Sequence, residues 1–150
     1  MTRKNIRGFT TIELIIVMII ICALSSVIYV TYKELRIKEQ DTRRKDDLTL
    51  LQRQLESYQA QYGNYPTLGD LNNTLWRGKY LKNFDASILQ DPLGSSAKLV
   101  AAPKPKAYAY IPTPEGCNNE ENGQKGVLCT GYSLTATLEN GSGYVEKNFN

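Results

Sequence analysis

The chain has 150 residues, with 18 Lys and Arg against 15 Asp and Glu, three Cys, ten Tyr and no His. That length fits one ordinary domain. The lack of His removes Ser-His and Cys-His nucleophile pairs and any His-containing zinc site, and a net charge of +3 is too small to argue for nucleic acid by itself.

Met1 to Gly8 is a basic tip with Arg3, Lys4 and Arg7 and no acid. Leu14 to Leu24 then gives eleven apolar residues without a break, and Val27 to Val30 resumes the run after Ser25-Ser26. Phe9 to Val30 is 22 residues long, against the roughly 20 a helix needs to cross a bilayer core. Thirteen of them are Leu, Ile, Val or Phe, worth about −6 kcal/mol on insertion, against a cost of at most about 3 for Glu13. The purely basic flank keeps the N-terminus cytoplasmic and sends the rest across. A cleaved secretory signal fits poorly, because apolar character continues past Ala23-Leu24-Ser25. A lipoprotein signal lacks the small residue before Cys22, where Ile21 stands. A plain anchor leaves Glu13 unexplained, since a carboxylate in an apolar span is costly and marks function unless it merely snorkels.

No Gly or Pro interrupts Phe9 through Gln61, which predicts one continuous helix ending at Tyr62, roughly 80 Å long at 1.5 Å per residue. Ser25-Ser26 is its weak spot, because Ser hydroxyls bond back to carbonyls and bend helices slightly. From Lys33 to Glu56 it carries seven bases and six acids. Glu34–Lys38, Glu39–Arg43 and Asp41–Lys45 have the favourable acid-first i,i+4 order. Solvation is the plain reading of that face, and contact between subunits is the reading preferred for Lys33 to Asp47. Leu48, Leu51, Leu55, Tyr58 and Tyr62 lie within about an 80° arc and predict the core face of a soluble head, with Leu50 off the stripe.

Gly63-Asn64 signals a helix C-cap and Tyr65-Pro66 stops continuation. Leu68 to Leu81 suits a short helix, broken at Asn72-Asn73 and Gly78. Asp91-Pro92-Leu93-Gly94 reads as a turn. Ala107 to Ile111 and Gly131 to Leu138 read as strands, and Asn140-Gly141 as a type I′ hairpin turn leading to a return strand over Gly143 to Lys147. The fold class is therefore α+β: a long N-terminal helix, half membrane span and half amphipathic, packed on a small antiparallel sheet. The divisions are a basic tip at 1–8, a span at 9–30, an amphipathic helix at 31–62 and a head at 63–150. Cys117 and Cys129 bracket a polar loop. Three free thiols are the plain alternative, but Cys22 sits in the span and a head outside the cytoplasm favours pairing the other two, worth roughly 3 kcal/mol.

Arg7-Gly8-Phe9-Thr10-Thr11-Ile12-Glu13-Leu14-Ile15 resembles the processing site of type IV pilins and pseudopilins: a basic leader ending in Gly, then Phe, then Glu four residues on. The resemblance implies the pilin fold, cleavage between Gly8 and Phe9 by a prepilin peptidase, N-methylation of Phe9, and a register-setting role for Glu13 against the Phe9 amino group of a neighbouring copy. Removing the leader leaves 15 bases against 15 acids, so copies pack side by side without large repulsion. Tyr65-Pro66, Tyr80-Leu81 and Asp91-Pro92 with Gly94 resemble the head of major pseudopilins and simpler pilins, and the Cys117–Cys129 loop resembles the disulfide-bounded region near the C-terminus of many pilins.

These features lead to a structural subunit of a type IV pilus-like filament, not an enzyme and without a cofactor. It waits in the cytoplasmic membrane and is then polymerised by assembly machinery into an extracellular or periplasmic filament. The alternatives are the major pseudopilin of a type II secretion system, an unprocessed single-pass binding or sensor protein, and a membrane-tethered enzyme working through carboxylates, for which no converging pair is visible. Glu115, Asn118, Glu120 and Glu121 could offer oxygens to calcium, but no D-x-[DN]-x-D spacing is present, and no metal is expected. Lys98, Lys104 and Lys106 beside Tyr108 and Tyr110 are a candidate DNA contact, weighed against an ordinary solvated surface. A Tyr-rich surface also suits adhesion to surface ligands.

Overall fold

The computed structural model of the chain describes residues 9–119 and 126–149. The chain divides into two compact units, Met1–Lys38 and Glu39–Asn150. One helix, α1 (Thr11–Tyr62), begins in the first and ends in the second.

In the first unit α1 is helical throughout, including Cys22 to Val30, as the lack of Gly and Pro predicts. The two serines bond back as expected: Ser25 Oγ donates to Ile21 O at 2.8 Å and Ser26 Oγ to Ala23 O at 2.7 Å. These bonds satisfy the hydroxyls inside an apolar stretch without interrupting the helix.

In the second unit α1 supplies the spine of the head. Leu48, Leu51 and Leu55 are fully buried, Tyr58 packs beside them, and Leu50 points outward. Gly63 closes the helix at φ +79°, a conformation that glycine adopts without penalty, and donates its N–H to Gln59 O. Tyr65-Pro66 then turns the chain back onto the core, with Tyr65 buried.

Two short helices follow, α2 (Leu68–Asn72) and α3 (Thr74–Tyr80). The break falls at Asn73, whose carboxamide caps α3 by accepting from the N–H groups of Leu75 and Trp76. Gly78 does not break the helix as expected but sits inside α3, an exposed position where its modest penalty is tolerated. Thr67 and Asp70 form a reciprocal capping box ahead of α2. A single 3-10 turn over Ala86–Leu89 leads into the Asp91–Gly94 turn, which the Gly94 N–H to Asp91 O bond closes.

The sheet has three antiparallel strands in sequential order: β1 (Ala109–Thr113), β2 (Gly131–Thr137) and β3 (Gly143–Lys147). Tyr110 pairs with Leu134, and Thr135 with Val145. Tyr132, Leu134 and Ala136 of the central strand join Leu48, Leu51 and Leu55 in one core. β1 lies two residues later than the alternation over 107–111 suggests. It runs through Pro112 because it is an edge strand of this sheet, where a missing N–H costs no ladder bond. The β2–β3 turn also differs from type I′: of Asn140 and Gly141 only the glycine has a positive φ, +82°. Leu138 N–H reaches across to Ser142 O, so the connection is a three-residue loop with glycine in the left-handed position.

Candidate functional site

The first unit presents an uncovered apolar surface. Every residue from Phe9 to Val30 is exposed, and α1 holds a stretch long and apolar enough to cross a membrane. Phe9 is 81% exposed at the start of this surface. Gly8 and the rest of the basic leader lie outside the described residues.

Glu13 has a local role that hydropathy alone passes over. Its N–H donates to Thr10 Oγ1 at 3.3 Å, and its Oε2 accepts from the Thr10 N–H at 3.4 Å. This is a capping box at the start of α1, and Thr-x-x-Glu ahead of an apolar run is its sequence signature. Both bonds sit at the long end of the useful range. The carboxylate is therefore held near the helix N-terminus, where negative charge is favoured, while still open to a stronger cationic partner.

In the second unit, the charges of α1 turn inward. The anticipated pairs Glu34–Lys38, Glu39–Arg43 and Asp41–Lys45 are not the ones that meet within 4 Å among the described residues. Arg43 approaches Asp47 at 3.9 Å, and Arg44 is 1% exposed within a ring of three acids. Its Nε and Nη2 grip Asp91 at 2.7 and 3.3 Å, Nη1 reaches Asp41 at 2.7 Å, and Nη2 reaches Glu139 at 2.9 Å. Desolvation pulls the guanidinium pKa down, but the bonds to Asp91, Glu139 and Asp41 more than offset it and leave it raised. Asp91, at 1% exposure, also accepts the Leu93 N–H within its own turn. One cation thereby ties α1 to the Asp91 turn and the β2–β3 loop.

Asp47 is buried alongside and accepts the Tyr108 hydroxyl at 2.8 Å. Its pKa is raised chiefly by burial, with the Tyr108 bond and Arg43 pulling the other way. Arg44 and Asp47 thus belong to the interior of their own head, which corrects their assignment to a contact between subunits. Glu56, further along α1, accepts both Tyr132 at 2.8 Å and Tyr65 at 3.0 Å.

Cys117 and Cys129 are joined, with Cα atoms 5.2 Å apart, and Cys22 is a free, exposed thiol. The base of this loop is tied to the end of α1: Tyr65 N–H donates to Cys129 O at 2.8 Å, and Asn119 bridges Tyr65 O and the Cys129 N–H, both at 3.0 Å. Glu120 and Glu121 lie outside the described residues, and Asn118 Oδ1 accepts the Val127 N–H. Tyr108 and Tyr110 are fully buried, so neither ring is available to stack on a base beside Lys98, Lys104 and Lys106.

The long apolar N-terminal helix, the small antiparallel sheet and the disulfide are consistent with a pilin-like fold. Compared with protein families, curated proteins and solved structures, the chain matches none.

Proposed function

We propose that the chain is a structural subunit of a type IV pilin-like filament rather than an enzyme. The observation that carries this reading is the uncovered apolar stretch that leads into α1 and continues along it, 22 residues from Phe9 to Val30 with every one exposed. Each buried Leu, Ile, Val or Phe is worth about 1.5–3 kcal/mol, so covering the thirteen present releases tens of kcal/mol. A bilayer covers the surface before assembly and other copies of the same helix cover it afterwards. Prepilin peptidase cleaves between Gly8 and Phe9 on the cytoplasmic side, Phe9 is N-methylated, and its new amino group meets Glu13 of a neighbour. The long hydrogen bonds of Glu13 support this role, since they exchange readily for a salt bridge. The major pseudopilin of a secretion system is the second reading, supported by the Asp91 turn that Arg44 holds; the disulfide supports a true pilus subunit.

The test is the sheared surface fraction of producing cells. Wild type is expected there as filaments. Glu13→Leu is expected to remain membrane-inserted and to vanish from the sheared fraction. A wild-type chain confined to membranes, or Glu13→Leu filaments at normal yield, would contradict the proposal.

A further inference from the structure

Arg44 and Arg77 are both buried in the head. Arg44 is held by three acids, whereas Arg77, 7% exposed, makes no ion pair among the described residues. Its Nη1 donates to Leu71 O and its Nη2 to Thr74 Oγ1 at 3.3 Å, and the guanidinium lies over the Phe84 ring at 5.8 Å. These bonds use two of the five N–H groups of an arginine, and none of the partners brings a negative charge. The acids next to it in sequence are committed elsewhere. Asp70 accepts the Thr67 N–H and hydroxyl at 2.9 and 2.7 Å, and Asp85 accepts the Ser87 N–H at 2.8 Å. A buried charge is ordinarily paired, so Arg77 lacks a counter-ion that the chain does not provide.

Thr74 and Phe84, which flank the guanidinium, line a cleft of about 320 Å³ together with Arg77 itself, at the small end of small-molecule sites. Leu81 and Phe84 give it an apolar floor, and Thr74, Gly78 and Asn83 an exposed rim. Thr74, Arg77, Gly78 and Leu81 share one side of α3 and its cap by their spacing of three and four. Trp76 and Tyr80 line a separate cleft with the base of the Cys117–Cys129 loop. Gly78 supplies a second observation. A Cβ added there would meet nothing within 4 Å, so packing within the chain does not require glycine. Alanine would make the better helix, yet the space beside Arg77 is left open. Arg77 is the one cation among the described residues that line the cleft, so the cleft matches a single negative charge. The planar guanidinium fork fits the two oxygens of a carboxylate, and the apolar floor fits a short hydrocarbon body. A phosphate dianion would keep one charge unpaired over that floor. We propose that the Arg77 cleft binds a small organic carboxylate, its oxygens on the guanidinium and its body against Leu81 and Phe84. The site lies wholly within the head, so the proposal stands whether or not the chain assembles into filaments.

The test is an NMR titration of the full, isotope-labelled chain in an uncharged detergent. The probes are sodium butyrate, its neutral amide butyramide, and inorganic phosphate, at an ionic strength held constant with sodium chloride. Butyrate is expected to shift the Arg77 Nε–H and Gly78 N–H signals saturably, and butyramide to leave them in place. Arg77→Gln, read on Gly78, should weaken butyrate binding by about tenfold or more. Gly78→Leu keeps Arg77 and its bonds but fills the rim. Read on the Arg77 Nε–H, it should weaken binding by about tenfold, with the melting temperature unchanged or higher because leucine is the better helix former. An arginine that only caps Leu71 O would give no saturable shift. No saturation up to roughly 100 mM butyrate, far above the millimolar range, would overturn the proposal. So would an equal response to butyramide, tighter binding of phosphate than of butyrate, or a response that either variant keeps. Arg77 signals that move with protein concentration alone would give the cleft to a carboxylate of a second copy and also overturn it.

Discussion

Replacing Arg44 with Met tests how the head is fastened to its helix. The substitution keeps most of the apolar stem and removes the cation that grips Asp91, whose side chain is 1% exposed. Stranding a buried charge in this way costs about 3–5 kcal/mol. Asp41 and Glu139 are 21% and 30% exposed at their side chains and lose less, because water takes over part of the role of Arg44. The residues of Glu39–Asn150 have an expected total stability of roughly 6 to 17 kcal/mol, so the loss is a large share of it. Urea denaturation followed by Trp76 fluorescence should show the midpoint falling by about 2 M. Adding Asp91→Leu should recover most of the loss, since an apolar pair of similar size replaces a buried ion pair at little cost. A loss below about 1 kcal/mol, or one that Asp91→Leu does not relieve, would refute the reasoning.

Cys117→Ser should lower head stability by about 3 kcal/mol at most. In the wild type Cys22 should alkylate without reductant, and peptide mapping that finds Cys22 in a disulfide would count against the fold. The buried phenols set an alkaline limit. Burial, first, pushes Tyr58 and Tyr65 up to about 12, and it drives Tyr108, Tyr110 and Tyr132 higher still, helped at Tyr108 by Asp47 and at Tyr132 by Glu56. Their folded pKa values exceed the unfolded value of about 10, so their stabilisation is complete below pH 10 and is lost as the pH rises above it. Phenolate absorbance and circular dichroism should therefore change together in that range, and full ionisation of a still-folded head would refute this.

Features encoded locally are the legible ones. The uninterrupted helix, the back-bonding serines, the Leu48–Leu51–Leu55 stripe and the Gly63 cap each depend on neighbours within a turn or two, and each stands where the residues place it. The charged stretch misleads because i,i+4 spacing describes an isolated helix. Arg44 instead finds Asp91 at a separation of 47 residues and Glu139 at 95, and a buried bidentate pair outweighs exposed neighbours worth a few tenths of a kcal/mol. Tyr108 and Tyr110 look like surface aromatics in a Lys-rich stretch, yet their hydroxyls reach Asp47 and Pro66 O inside the head. The cluster of Tyr58 and Tyr62 from the end of α1 with Trp76 and Tyr80 from α3 is equally hidden, because only the chain reversal at Tyr65-Pro66 brings those rings together.

Everything proposed for the N-terminal helix depends on what happens at Gly8-Phe9. The direct measurement is the mass of the chain's N-terminal peptide, taken from sheared filaments or, failing those, from purified membranes. A mature chain beginning at N-methylated Phe9 is the expected result; an intact Met1–Gly8 leader, or a start at Ser26, in assembled material would contradict the account.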